Sequence, residues 1–200
     1  MLHYRNFRLK KIYRLGNLPG LINKNLKYKK KDNKYIKKSK YCIRLKEKQK
    51  LKFNYGIIER QLFNYIYYII KKYRKKDTIG KMLLKILEMR LDNILFRFGI
   101  ATTISEARQL INHKHILINN YIINKPNYKC KIGNIITIKK KNNNLIKNFF
   151  NLLQVKEKEL NYFNFYTFKY KGFINKIIKI EQVSLKINEL LILEYYFHKI

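Results

Sequence analysis

The sequence predicts an α+β chain, mostly helical in its first half and then turning into a small antiparallel sheet. Three observations carry that reading. Apolar residues recur at helical spacing from Ile58 to Ile111. Short β-rich runs replace them from Ile116 to Ile138, and an apolar stretch from Ile187 to Phe197 suits a closing helix.

Taken in order, residues 1–40 read as a basic extension with few regular features, punctuated by Gly16, Pro19 and Gly20. Lys27 to Lys40 is nearly continuous positive charge, broken by Tyr28 and Tyr35, and such a run stays extended unless a partner neutralises it. Residues 41–98 read as helices. Ile58, Leu62, Ile66 and Ile69 keep a helical spacing after the break at Gly56. Leu91, Ile94, Leu95 and Phe98 form one apolar stripe, and Gly99 suits a helix stop. Thr103 and Glu106 make a T-x-x-E capping box, and Ile104, Ala107, Leu110 and Ile111 form the buried side of the helix it starts. Ile116–Ile118 and Tyr121–Ile123 read as strands joined at Asn119-Asn120, because Asn tolerates positive φ; Pro126 ends the pair. Gly133-Asn134 turns the chain into a strand at Ile135–Ile138. A polar KKNNN linker leads to aromatic and Ile-rich runs, Tyr162–Tyr170 and Phe173–Ile180. The alternating aromatics of the first of these, YFNFYTFKY, are read as core in preference to a stacking surface.

The formal charge is +34, from 46 Lys and Arg against 12 Asp and Glu. Such a charge opposes compaction unless a polyanion relieves it, so nucleic acid or an anionic membrane is the expected partner. Hydrophobic residues at 46% and aromatics at 14% are too many for a disordered polyelectrolyte. The most apolar run, Leu62–Ile70, is about half the roughly 20 residues a spanning helix needs, so no membrane partner is expected. MLHYRNFRLKK at the start holds no apolar run of a secretory signal. Cys42 and Cys130 are isolated and read as two reduced thiols. The wealth of Lys, Asn, Ile and Tyr and the absence of Trp suit a gene rich in A and T.

Catalytic motifs are not found. There is no Gly-rich phosphate loop, no H-E-x-x-H and no G-x-S-x-G. His113 and His115 bracket Lys114, but no Cys lies near and no carboxylate flanks them, so neither metal nor cofactor is expected. Glu47 is placed to pair with Lys50, and Asp92 shares a predicted helix with Arg90 and Arg97, so both read as structural acids. The strongest constellation is basic. Arg90 and Arg97 are seven apart and are expected on one helix face, Arg108 flanks the next helix, and His113, Lys114 and His115 follow at its end. Guanidinium groups bind phosphate bidentately and stack on bases, and folded RNA is read by phosphate position and shape. An RNA surface on two short helices is therefore expected.

RLDNILFRFG, from Arg90 to Gly99, and SEARQLINHKHILIN, from Ser105 to Asn119, resemble the RNA-binding module named after ribosomal protein S4. YRNFRLKKIYRLGNLPGL, IRLKEKQKLKFNYGIIERQL and LKINELLILEYY extend the resemblance to the S4 ribosomal protein family in its plastid-type form, over most of the chain. The resemblance implies a basic extension at 1–40 and a helical domain at 41–88 that is completed by 187–200. It places an RNA-binding α+β domain at 89–186, with the two-helix module, at about 90–139, beside the sheet. It also implies a structural constituent of the small ribosomal subunit, not an enzyme. Such a protein organises a junction in the 5′ domain of small-subunit rRNA and lies by the channel through which mRNA enters. Its expected neighbours are proteins of the S3 and S5 families, and its expected roles are assembly and translational accuracy.

Residues expected at the rRNA are Arg5, Arg8, Lys10, Lys11, Arg14, Arg44, Lys48, Lys52, Tyr55, Arg60, Arg90, Arg97, Arg108, Gln109, His113, Lys114 and His115. Lys29, Lys30, Lys31, Lys37, Lys38 and Lys40 are expected on the mRNA side. Asn119-Asn120 stands where the family has Asn-Gly, Gly133-Asn134 where it has Gly-Asp, and the N-terminal Cys cluster that holds zinc in some members is missing. The opening family motif at Tyr4 leaves no room for a transit peptide. With the A/T bias, this points to a gene inside a plastid, preferably a reduced non-photosynthetic one such as an apicoplast. Two other readings stand beside this one. An RNA-modifying or tRNA-charging enzyme would need a catalytic domain, and a general compaction protein would bind duplex DNA equally well.

Overall fold

The structure, a computed structural model, describes residues 2–21, 39–73, 76–139, 163–166, 171–175, 183 and 185–197. Two compact units emerge, one formed by Met1–Leu84 with Ser184–Ile200 and the other by Lys85–Val183.

The first unit is helical. Helix α1 spans Leu2–Leu15, within the stretch expected to lack regular structure. It ends at Gly16, whose φ of +98° only glycine adopts without cost. Ile12, Leu15 and Leu18 are buried, which accounts for a helix in so basic a segment. Helix α2 (Lys40–Asn54) starts at Ser39, whose hydroxyl accepts from the Cys42 N–H. A turn at Tyr55-Gly56 leads to α3 (Glu59–Lys72), which buries Leu62, Ile66 and Ile69. Helix α4 covers Lys76–Glu88. The expected closing helix forms as α7 (Glu189–Phe197), capped by the Asn188 side chain, whose Oδ1 accepts from the Leu190 N–H at 3.1 Å. It packs on α2 and α3, burying Ile192, Leu193, Tyr195 and Tyr196. Gly80 of α4 lets α7 approach closely, since a Cβ there would stand 2.7 Å from that of Glu189.

The second unit begins with the last turn of α4, followed by α5 (Leu91–Arg97) and α6 (Ile104–Asn112). Gly99 stops α5 with a φ of +77°. The expected cap starts α6. Thr103 accepts from the Glu106 N–H at 3.2 Å, while the Glu106 carboxylate receives the N–H and hydroxyl of Thr102, one residue before the expected partner. Strands β1 (Ile116–Ile118) and β2 (Tyr121–Ile122) form the hairpin, with Asn119 and Asn120 at φ +49° and +70°. β3 (Ile135–Ile138), β4 (Phe163–Tyr166) and β5 (Lys171–Ile174) complete an antiparallel sheet in the order β2-β1-β3-β5-β4. Leu117 stands opposite Ile122 and Thr137. Leu91, Ile94 and Leu95 of α5, Phe98 just after it, and Ala107 and Ile111 of α6 pack on Ile116, Ile136 and Ile174 in one core. The remainder of the aromatic run, Tyr162 and Thr167–Tyr170, lies outside the described residues.

Candidate nucleic-acid interface

The start of α5 is held by the segment after the hairpin. Its first N–H groups, those of Leu91 and Asp92, donate to the carbonyls of Tyr128 and Pro126, and Cys130 N–H donates to the Met89 carbonyl. Arg90 is the N-cap, with extended backbone, and therefore lies off the helix.

That position decides its fate. Asp92 is only 1% exposed and takes Arg90 Nε at 3.1 Å and Nη2 at 2.8 Å. It also accepts the Asn93 N–H at 2.9 Å and both Nε and Nη2 of Arg108, at 2.9 and 2.8 Å. Glu88, equally buried, accepts from Asn93 Nδ2 at 2.7 Å and from Arg97 at 3.2 and 3.0 Å. A buried carboxylate is costly unless paired, so in a chain poor in acids each one draws in the nearest guanidinium.

The expectation of three arginines open to phosphate is thus corrected. The Arg90 side chain is 3% exposed and locked inside, while those of Arg97 and Arg108 keep 18% and 28% of their surface. Together the three brace α5 against α6 and the end of α4.

Two further corrections fall in the first unit. Tyr55 is buried, within the core that closes the α2–α3 turn. Lys48 is buried too, and its ammonium donates to Glu59 at 2.9 Å and to the Tyr195 hydroxyl at 3.3 Å. Lys52 joins Glu59 at 3.2 Å, and Arg44 pairs with Glu194 at 2.8 Å. Burial raises the Glu59 pKa, but the hydrogen bonds from Lys48, Tyr196 and Lys52 outweigh it and hold the carboxyl down to about 2. Burial, with Glu59 as its acceptor, pushes the Tyr196 phenol above its ordinary range, so it stays a donor.

Other expected residues do face outward. Lys10, Arg14, Arg60 and Lys40 are exposed on the first unit, and Arg8 and Lys11 are half-buried, with Lys11 Nζ 3.9 Å from the Phe53 ring centroid. Arg5 lies in α1. Lys29, Lys30, Lys31, Lys37 and Lys38 fall outside the described residues.

On the second unit the structure gathers Gln109, His113, Lys114 and His115 at the end of α6. All are exposed except half-buried His115, and the two imidazoles stand 6.0 Å apart with planes 24° off parallel. Lys114 between them has a φ of +60°.

Sequence reasoning missed Lys125, Lys129, Lys131 and Lys139. They are exposed, with no carboxylate partner among the described residues. A signal was present: no Asp or Glu occurs anywhere from Ala107 to Lys156. Among the described residues of the second unit the acids, Glu88, Asp92 and Glu106, all accept hydrogen bonds from within it, and these four lysines are left to the surface. Cys130 is buried, and burial together with the Asp92 charge pushes its thiol up to about 12, so it is chemically quiet.

A family model described as the S4 domain matches residues 89–136, and one described as the ribosomal protein S4/S9 N-terminal domain matches residues 2–88. Proteins named small ribosomal subunit protein uS4c are similar along nearly the whole chain. That of Cuscuta sandwichiana is 50% identical over 98% of both chains. That of Orobanche minor is 50% identical over 100% of this chain and 99% of its own. That of Arabidopsis thaliana is 48% identical over 98% of both.

Proposed function

The chain belongs to the ribosomal protein S4 family, and from that premise we propose that it is a structural, rRNA-binding constituent of the small ribosomal subunit of a plastid. Its relatives are ribosomal proteins and not enzymes, which removes the RNA-modifying reading. In this reading the protein docks on a junction in the 5′ domain of small-subunit rRNA and supports assembly. It lies by the channel through which mRNA enters, beside proteins of the S3 and S5 families, and contributes to accuracy. What supports the channel placement is position in the family together with the charge run that ends at exposed Lys40. The relatives are chloroplast proteins of plants, so the reduced plastid, or apicoplast, rests on the A/T-biased composition alone.

The observation that carries the rRNA reading is Lys114. A non-glycine residue in the left-handed region costs on the order of 1–2 kcal/mol. The cost falls here on an exposed cation at the tip of the two-helix unit, where glycine would be free of it. A charged side chain kept at a strained, exposed point is suited to a phosphate.

The test is Lys114→Gly, measured for stability and for binding to a transcript of the rRNA 5′ domain. The variant should unfold later, by about 1 kcal/mol, and bind more weakly, with a salt slope shallower by about one. Unchanged affinity would count against the tip as a contact.

A further inference from the structure

The outer face of α3 plays no part in the contacts described so far. Arg60, Asn64, Tyr67, Tyr68, Lys71 and Lys72 are all exposed and lie opposite the buried stripe of Leu62, Ile66 and Ile69. The helix carries one acid, Glu59, and that carboxylate turns away from this face to Lys48, Lys52 and the Tyr196 hydroxyl. Three cations therefore stand on the face with no carboxylate among them.

The tyrosines divide the work. Tyr67 is stacked on Phe63, with centroids 6.3 Å apart and planes 10° off parallel, and Lys71 Nζ sits 4.6 Å from its ring centre. That contact keeps the Lys71 ammonium in place on the helix face. Tyr68 is 57% exposed and makes no ring contact among the described residues, so its aromatic face is available.

We propose that the outer face of α3 is a second RNA contact, on which Tyr68 stacks on an unpaired base while Arg60, Lys71 and Lys72 hold the flanking phosphates. This rests on the rRNA reading above. A stacking side chain beside cations suits single-stranded loops and bulges, whose bases are open, better than a duplex, whose bases are already stacked.

The test uses the full chain and a transcript of the small-subunit rRNA 5′ domain. Tyr68→Ala should weaken binding roughly 5- to 150-fold with the salt slope unchanged, whereas Tyr68→Phe, which keeps the ring, should bind within about twofold of the parent. Lys71→Gln with Lys72→Gln should make the slope shallower by about one and a half to two. Tyr68 is a surface residue, so circular dichroism should show the fold intact in each variant. If Tyr68→Ala binds as tightly as the parent while Lys114→Gly binds more weakly, the α3 assignment is overturned and the rRNA reading stands. If the parent chain does not bind the transcript, the rRNA reading itself fails. Tyr68→Ala that binds rRNA normally but enters reconstituted subunits poorly would assign the face to a neighbouring protein and overturn the proposal.

Discussion

Asp92 shows how one residue sets the geometry of the second unit. It is the common acceptor of Arg90, at the start of α5, and Arg108, on α6, so it fixes where one helix stands against the other. Removing one partner of a buried ionic group leaves the others uncompensated, at a cost of about 3–5 kcal/mol. Asp92→Asn should therefore lower the stability of this unit by about that amount, and denaturant unfolding would register it. A loss below about 1 kcal/mol would mean that the network is incidental. That Asp92 is a structural acid was legible from its neighbours in the sequence. The burial of Arg90 was not, because helical spacing placed it on the face of Arg97. Arg90 has the extended backbone of an N-cap, and the period of 3.6 residues does not reach that position.

Among the elements, those with a strong local signature were legible. The Thr103 cap, the Gly99 stop and the Asn119-Asn120 turn each rest on the chemistry of one or two residues, and each forms. Helix α1 was not legible, because its charge masks the apolar residues, Ile12 and Leu15 among those described, that it buries. The joining of β5 to β3 depends on pairing between residues far apart in sequence, for which no local pattern exists. The contact of α2 and α3 with α7 is also long-range, and a polar cluster accompanies it. Lys48 of α2, Glu59 of α3 and Tyr195 and Tyr196 of α7 are hydrogen-bonded together. Glu59 has its pKa depressed from the ordinary 4.5 to about 2 on folding. Its contribution to stability is thus fully present above about pH 4.5 and is lost as the pH falls toward 2. The stability difference between the parent and Glu59→Gln should be constant from pH 8 to 6 and shrink steadily below pH 4.5. A difference that grows on acidification would contradict the network.

Over the whole molecule, a charge of +34 is compatible with folded units because a few cations are paired with the carboxylates of their own unit while others, such as Lys114 and Lys129, are left at the surface. Glu88, Asp92 and Glu106 in the second unit, and Glu59 in the first, accept hydrogen bonds from their own unit. The arginines nearest them serve the scaffold, and the lysines beyond face outward. Composition alone revealed the polyanionic partner. It could not reveal which cations are left over, since that depends on pairings made only in the fold. The direct test of this account is the salt dependence of binding to the rRNA 5′ domain, with duplex DNA as competitor. Contact with about ten phosphates gives a log–log slope on the order of −7 to −9, and the rRNA should resist displacement by the duplex. A slope near zero, or equal affinity for the two nucleic acids, would contradict it.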